Sequence, residues 1–283
     1  MIRRKPEEWI RVTKQGLFVD PGNFFIDPNT ATDIAVITHG HADHARSGHK
    51  KVISTHETLA IMKVRFGENH SPLPYGIAYG EKLKINDVLI WLVPAGHVLG
   101  SAQIVLEYKG SRVVVSGDYK RQKDPTCLSF EPVNCDVFIT EATFGLPVFK
   151  HPEAQEEITK LLRSIDLFSD RCHVVGAYAL GKAQRIIALL RQKGYERPIY
   201  IHGALKKLCH LYAQNGVDLG QLLPVPISKK NQKNPNLEGQ IVLAPPSAIA
   251  DRWIRRLPDP VVVMASGWMR IKQRARQRNV DLP

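Results

Sequence analysis

The rhythm of apolar and polar positions changes near the middle of the chain. Up to about Phe144 the apolar runs are short and strand-like, at Asp33–Thr38, Val88–Pro94, Gln103–Tyr108, Arg112–Ser116 and Asp136–Thr140. Turn residues separate them, and Tyr108-Lys-Gly-Ser111 reads as a compact hairpin. One helix is expected in this half, from Thr55 to Phe66, with Thr55 as its cap and Leu59, Met62 and Phe66 on one face. After Gly145, helical stretches (Glu153–Phe168, Lys182–Lys193, Ala204–Asn215, Ser247–Leu257) alternate with short apolar strands (His173–Tyr178, Pro198–His202, Gln240–Ala244, Pro260–Ala265). That alternation predicts βαβ units around a parallel sheet, and places a domain boundary near residue 145. No internal repeat is present, and the polar stretch Ser228–Asn236 reads as an exposed loop.

Composition narrows the picture. With 283 residues, 43% hydrophobic and 23% charged, the chain can bury a substantial core and is neither disordered nor collagen-like. Its 39 Lys and Arg against 27 acids give a net charge of +12, which favours a polyanionic partner. No apolar run is long enough to span a membrane, and the opening Met-Ile-Arg-Arg-Lys-Pro-Glu-Glu lacks the apolar core of a secretion signal. Cys127, Cys135, Cys172 and Cys209 include no CxxC pair and are expected to be small buried hydrophobes in a reduced, cytoplasmic protein.

The segment Ile37-Thr-His-Gly-His-Ala-Asp-His44 carries the chemistry. Three histidines and an aspartate fall within six residues, directly after an apolar run. A strand feeding such a loop lets His39 and His41 reach one metal ion, while Asp43 and His44 can face a second. Imidazole with carboxylate suits zinc, with manganese or iron as alternatives. Two further ligands are expected after strand-like runs: His97, in Pro94-Ala-Gly-His-Val-Leu-Gly-Ser101, and Asp118, in Ser116-Gly-Asp-Tyr119, whose carboxylate could bridge two ions.

His39-Gly-His-Ala-Asp-His44, then His97, then Asp118, resembles the signature order of the metallo-β-lactamase fold. Asp27, in Phe25-Ile-Asp-Pro28, matches the fold's first aspartate motif, which supports the site more than it binds metal. Glu141, in Ile139-Thr-Glu-Ala-Thr-Phe144, matches the acidic motif that opens the β-CASP nuclease branch. Within that branch the chain most resembles the bacterial DNA ligase-associated exonucleases. The resemblance rests on Gly96–Gln103, Ser116–Arg121, Phe138–Pro147, Ala177–Gln184 and Ala265–Arg270. It implies an α/β architecture, a metallo-β-lactamase αββα sandwich with an inserted parallel-sheet β-CASP domain. Residues 1–145 would supply the sandwich, 146–265 the insertion, and 266–283 the start of the return. It also implies two later histidine motifs, one resembling a general acid. The last histidine here is His210, so a shortened form is expected, lacking the closing part of the sandwich and holding its second ion weakly.

The resemblance implies metal-assisted phosphodiester hydrolysis of DNA, single-stranded or at ends, in repair, with a DNA ligase in the same pathway. Asp43 would orient the nucleophile or take its proton, and Asp118 would hold the ions. Asp27 and Glu141 complete the expected catalytic set. RNA processing, a small-molecule hydrolase such as a lactonase or thioesterase, and an inactive fragment that only binds metal or nucleic acid are the alternatives. Contacts to nucleic acid are expected from Lys120 and Arg121 beside Asp118, and from Lys182 and Arg185 at a helix start. Trp268, as a stacking aromatic, and Arg270, heading the run to Arg278, complete the set. Phe144 is expected to pack in the core.

Overall fold

The computed structural model describes residues 4–226, 237–271 and 280–283. The chain divides into two compact units, Met1–Glu141 and Ala142–Pro283.

The first unit holds two sheets. In the first, β1 (Ile10–Thr13), β2 (Gly16–Val19) and β3 (Phe24–Ile26) run antiparallel. β3, β4 (Ile34–Val36), β5 (Lys51–Ser54) and β6 (Leu73–Gly76) then continue in parallel. In the second sheet, β7 (Leu83–Ile85), β8 (Val88–Pro94), β9 (Ala102–Tyr108) and β10 (Ser111–Val115) are antiparallel, and β11 (Val137–Ile139) joins β10 in parallel. Period-2 alternation sorts their side chains between faces. Val88, Ile90, Leu92, Ile104, Leu106, Val113 and Val115 share one core with Val19, Phe24, Ile26, Val36 and Ile53 of the first sheet, so the two sheets pack face to face. Trp91, Val93, Val105 and Val114 point the other way, into a smaller cluster with Val133 and Cys135.

The hairpin at Tyr108–Ser111 forms as expected. Lys109 and Gly110 both adopt positive φ (43° and 76°), which the two-residue primed turn requires. Helix α1 (His56–Phe66) is capped by Thr55, whose Oγ1 accepts from the Thr58 N–H at 3.1 Å. Its buried face is Thr58, Ile61 and Met62, laid on Ala35, Ile37 and Val52. Phe66 is not on that face. It is 37% exposed at the helix end, with the Arg65 guanidinium 4.6 Å above its ring.

The second unit contains a six-stranded sheet in the order β14 (Leu222–Pro224), β13 (Ile199–Ile201), β15 (Ile241–Ala244), β12 (His173–Gly176), β16 (Val261–Ala265), β17 (Val280–Leu282). Every pairing is parallel, as the alternating pattern predicts. Helices α2 (Ala154–Leu167), α3 (Lys182–Gln192) and α4 (Lys206–Gln214) connect the strands. The helix expected over Ser247–Leu257 is instead a short α5 (Pro246–Ala250) and a 3₁₀ turn (Arg252–Arg256). Asp251, extended, interrupts it and accepts from the Arg252 N–H through its own side chain, an alternative that competes with the helix ladder. The four cysteines are free; Cys172 and Cys209 are buried, but Cys127 and Cys135 are partly exposed. The polar stretch Ser228–Asn236 lies outside the described residues, as does the run from Lys272 to Arg278. Among the described residues no helix is long and apolar enough to cross a membrane.

Candidate metal centre

The strand directions of the first unit bring the motif residues to one edge. β3 and β4 are parallel, and Asp27 and the His39–His44 turn follow their carboxyl ends. β8 and β10 both run antiparallel to β9 and so share a direction; His97 follows the first and Asp118 the second. Glu141 follows β11, parallel to β10, and lies half-buried at the same end of that pair. Five strand ends therefore carry five expected motifs.

Four of these side chains converge. One atom from each of His39, His41, His97 and Asp118 lies within 4.8 Å of all the others. His41 Nδ1 is 3.0 Å from His39 Nε2 and 3.1 Å from His97 Nε2. Asp118 Oδ2 is 3.8 Å from His39 Nε2 and 3.6 Å from His97 Nε2. Four donors about 2.0–2.1 Å from a tetrahedral zinc ion would stand about 3.3–3.4 Å apart, inside this spread. Three imidazole nitrogens and a carboxylate oxygen in that space form a donor set that fits a divalent cation.

The other oxygen of Asp118 faces elsewhere. Its Oδ1 is 3.4 Å from His44 Nε2, which also lies 3.8 Å from Asp43 Oδ2. Asp118 thus stands between the trio and the Asp43–His44 pair, with one oxygen toward each.

A relay starting at Asp27 sets the ring orientations. Its Oδ1 accepts from the Thr38 N–H (2.8 Å), and its Oδ2 from both the Thr38 hydroxyl (2.6 Å) and His44 Nδ1 (2.7 Å). With its proton committed to Asp27, Thr38 Oγ1 can only accept from His39 Nδ1, 3.0 Å away. That tautomer leaves the His39 Nε2 lone pair on the donor cluster. His44, held at Nδ1, likewise presents Nε2 to Asp118. Thr38 went unnoticed in the sequence. The signal was there: a small polar residue between an apolar run and the first histidine.

The His97 loop is held as firmly. Ser101 Oγ accepts from the N–H groups of His97 and Val98 at 3.0 and 3.1 Å. Gly96 sits at φ +74°, and a Cβ there would stand 2.4 Å from the Lys120 carbonyl, so the loop presses directly on the Asp118 segment. The Lys120 N–H donates to the Ala95 carbonyl at 3.0 Å.

Electrostatics separates the two sides of Asp118. Burial, then the neighbouring imidazoles, holds His39 well below the ordinary histidine range and His97 at about 3, so both are neutral. At His44 burial acts downward too, but hydrogen bonds to Asp118 and Asp27 outweigh it and raise the ring to about 10. Burial alone would raise Asp118; the His44 hydrogen bond and charge keep it below the ordinary carboxylate range.

The residues expected at nucleic acid divide between the two units. Lys120 Nζ is paired with the carboxylate of Asp124, which is 1% exposed. Thr126 also donates to that carboxylate through its N–H (3.0 Å) and hydroxyl (2.6 Å), so Lys120, expected at the substrate, has a structural role in neutralising Asp124 as well. Arg121 is exposed. In the second unit, Lys182 opens α3 and Arg185 lies on its first turns, both partly buried. Gly181 caps the helix, and its N–H donates to Gln184 Oε1 at 2.8 Å. Trp268 is partly buried, 5.4 Å from Phe144 and 5.5 Å from Phe149 between ring centroids. Phe144, expected in the core, is 40% exposed in that aromatic group, and Arg270 is exposed.

Strand-end loops on a mixed α/β scaffold of several sheets thus converge three imidazoles and a carboxylate, the donor types that hold a divalent metal ion. No family model matches the chain. Among curated proteins it is 23% identical over 264 residues to a probable DNA ligase of Opitutus terrae, covering 92% of this chain and 25% of that protein. It is 30% identical over 237 residues to the endoribonuclease ysh-1 of Neurospora crassa, covering 69% and 28%. A third relative is the cleavage and polyadenylation specificity factor 73 of Drosophila melanogaster, 32% identical over 142 residues, with 47% and 21% covered. These homologues are β-CASP metallo-β-lactamase nucleases, and it is to them that the chain is similar. It spans about a quarter of the length of the curated relatives it matches.

Proposed function

We propose that this chain forms the metal centre and part of the substrate-binding region of a nuclease that hydrolyses phosphodiester bonds in nucleic acid. The observation that carries this reading is the convergence of His39, His41, His97 and Asp118 within 4.8 Å. These four would hold one ion, zinc by the nature of the donors, or manganese. Asp43 and His44, with the second oxygen of Asp118, would hold another. When bound, the metal supplies Lewis acidity toward water and the phosphoryl oxygens.

The chain's own groups do the rest. Asp43, with a side chain 78% exposed, is placed to orient an attacking water or take its proton. Asp27, through Thr38 and His44, fixes the rings, and Glu141 borders the site from the end of β11. Arg121, Lys182, Arg185, Trp268 and Arg270 would hold the strand by charge and stacking. The unit arrangement is read as an αββα sandwich (1–145) carrying an inserted β-CASP domain (146–265), with the return beginning at 266, in a cytoplasmic protein.

DNA is the preferred substrate, attacked from an end and in company with a ligase. The support is the resemblance of motifs along the chain and a relative, named a probable DNA ligase, that matches over 92% of it. The second reading is RNA cleavage, favoured by the endoribonuclease relative at 30% identity. Metal analysis coupled to digestion of end-labelled single-stranded DNA and RNA tests both. His41→Ala should abolish metal binding and cleavage together, and Lys182→Ala should weaken substrate binding alone. Full metal content in His41→Ala would refute the site.

A further inference from the structure

The cation next to the metal turn is one to which the sequence motifs do not point. Arg65, near the end of α1, donates from Nη1 to the Gly40 carbonyl at 2.5 Å, between His39 and His41. The fit beneath that turn is close. A Cβ on Gly40 would stand 2.5 Å from Cγ2 of Ile61, which lies one helical turn before Arg65 on the same face. The guanidinium is half-buried, its plane backed by the Phe66 ring at 4.6 Å. Among the described residues the Gly40 carbonyl is the single hydrogen-bond acceptor it reaches, so most of its five N–H donors are uncommitted. Asp43 is close enough to act on its charge, yet forms no ion pair with it among the described residues. Lys120, the cation expected here, is occupied by Asp124.

We propose that Arg65 binds a phosphate of the nucleic-acid strand beside the metal centre, using the donors that Gly40 leaves over. The inference rests on the reading of this site as a nuclease centre. A planar fork anchored through one N–H and backed by an aromatic ring is preorganised for the non-bridging oxygens of a phosphodiester. Holding the turn would by itself need only one donor.

The test uses the full chain loaded with zinc and a fluorescent single-stranded oligonucleotide with a nuclease-resistant phosphorothioate backbone. Anisotropy is read at several salt concentrations, and zinc is measured in the same samples. Arg65→Gln should weaken binding roughly 10-fold, as expected for a lost charge-assisted contact, and lower the slope of log affinity against log salt by about 0.7. Arg65→Lys should keep the slope while losing part of the affinity, and zinc content should be unchanged in both. Wild-type affinity and slope in Arg65→Gln would overturn the inference while leaving the nuclease reading intact. Loss of zinc in step with affinity would reduce Arg65 to a prop for the turn and overturn it too. A wild-type chain that binds no oligonucleotide would sink the reading, and the inference with it.

Discussion

The two sides of Asp118 differ in readiness. Toward Oδ2 stand three imidazoles, two of them neutral by burial and one with its tautomer fixed through Thr38, so the His39 Nε2 lone pair already faces the cluster. Toward Oδ1 stand His44, which carries a proton until about pH 10, and Asp43, whose side chain is mostly in solvent. An ion on the first side would displace little; on the second it must expel a proton and order an exposed carboxylate. The same protein edge would thus offer a metal ion a tight position and a weaker, pH-sensitive one, and the difference lies in burial and hydrogen bonding more than in residue type.

The comparison breaks most sharply if one donor of the tight position is removed. His97→Ala should lower affinity there by more than the roughly 10–100-fold that a supporting residue is worth, measured by chelator competition. An intermediate effect is expected from Asp27→Asn, which keeps the left-handed backbone (φ 43°) but loses the charge holding His44 Nδ1. Affinity at the weaker position should fall about 10–100-fold, and that at the tight one far less. A pH series sharpens the contrast further. Because metal must replace one proton on His44, affinity at the weaker position should rise about tenfold per pH unit between pH 7 and 9. His39 and His97, already neutral, add no such slope above pH 6.5.

In the metal-free protein the linkage runs the other way. The raised His44 stabilises the fold fully below pH 6.5, and that contribution is lost as the pH climbs toward 10. His97 stabilises above 6.5 and loses its contribution as the pH falls toward 3, so thermal melts after chelation should weaken on both flanks. The smallest effect is structural. Gly96→Ala would strain a φ of +74° against the Lys120 carbonyl and cost about 1–3 kcal/mol, a fall of several degrees in Tm.

Much of this was legible in the chain, and the rest hid for physical reasons. The parallel sheet of the second unit announced itself because buried parallel strands are continuous apolar runs between amphipathic helices. β8 to β11 were legible through alternation and a glycine hairpin. β1, β2, β3, β5, β6 and β7, and the outer strands β14 and β17 of the second unit's sheet, were not: each is three or four residues long, which leaves little period to register. His39, His41, His97 and Asp118 could be chosen from their types and from the strands before them. Which oxygen of Asp118 faces which partner depends on contacts with residues about 20 (His97) to about 80 (His39) positions away. Lys120 has a partner that the sequence did not reveal. Its place beside Asp118 suggested a substrate contact, and nothing local revealed that Asp124, four residues on, would be buried and take its charge. Phe66 and Phe144, large and apolar, suggested a core, yet both lie at the surface beside other rings or a guanidinium.

The most direct test of the tight position is zinc X-ray absorption spectroscopy on protein loaded with one equivalent of metal. Three imidazoles and one oxygen at about 2.0–2.1 Å, with one imidazole lost in His97→Ala, is the expected result. Sulfur at about 2.3 Å, or a spectrum that His97→Ala leaves unchanged, would contradict the account.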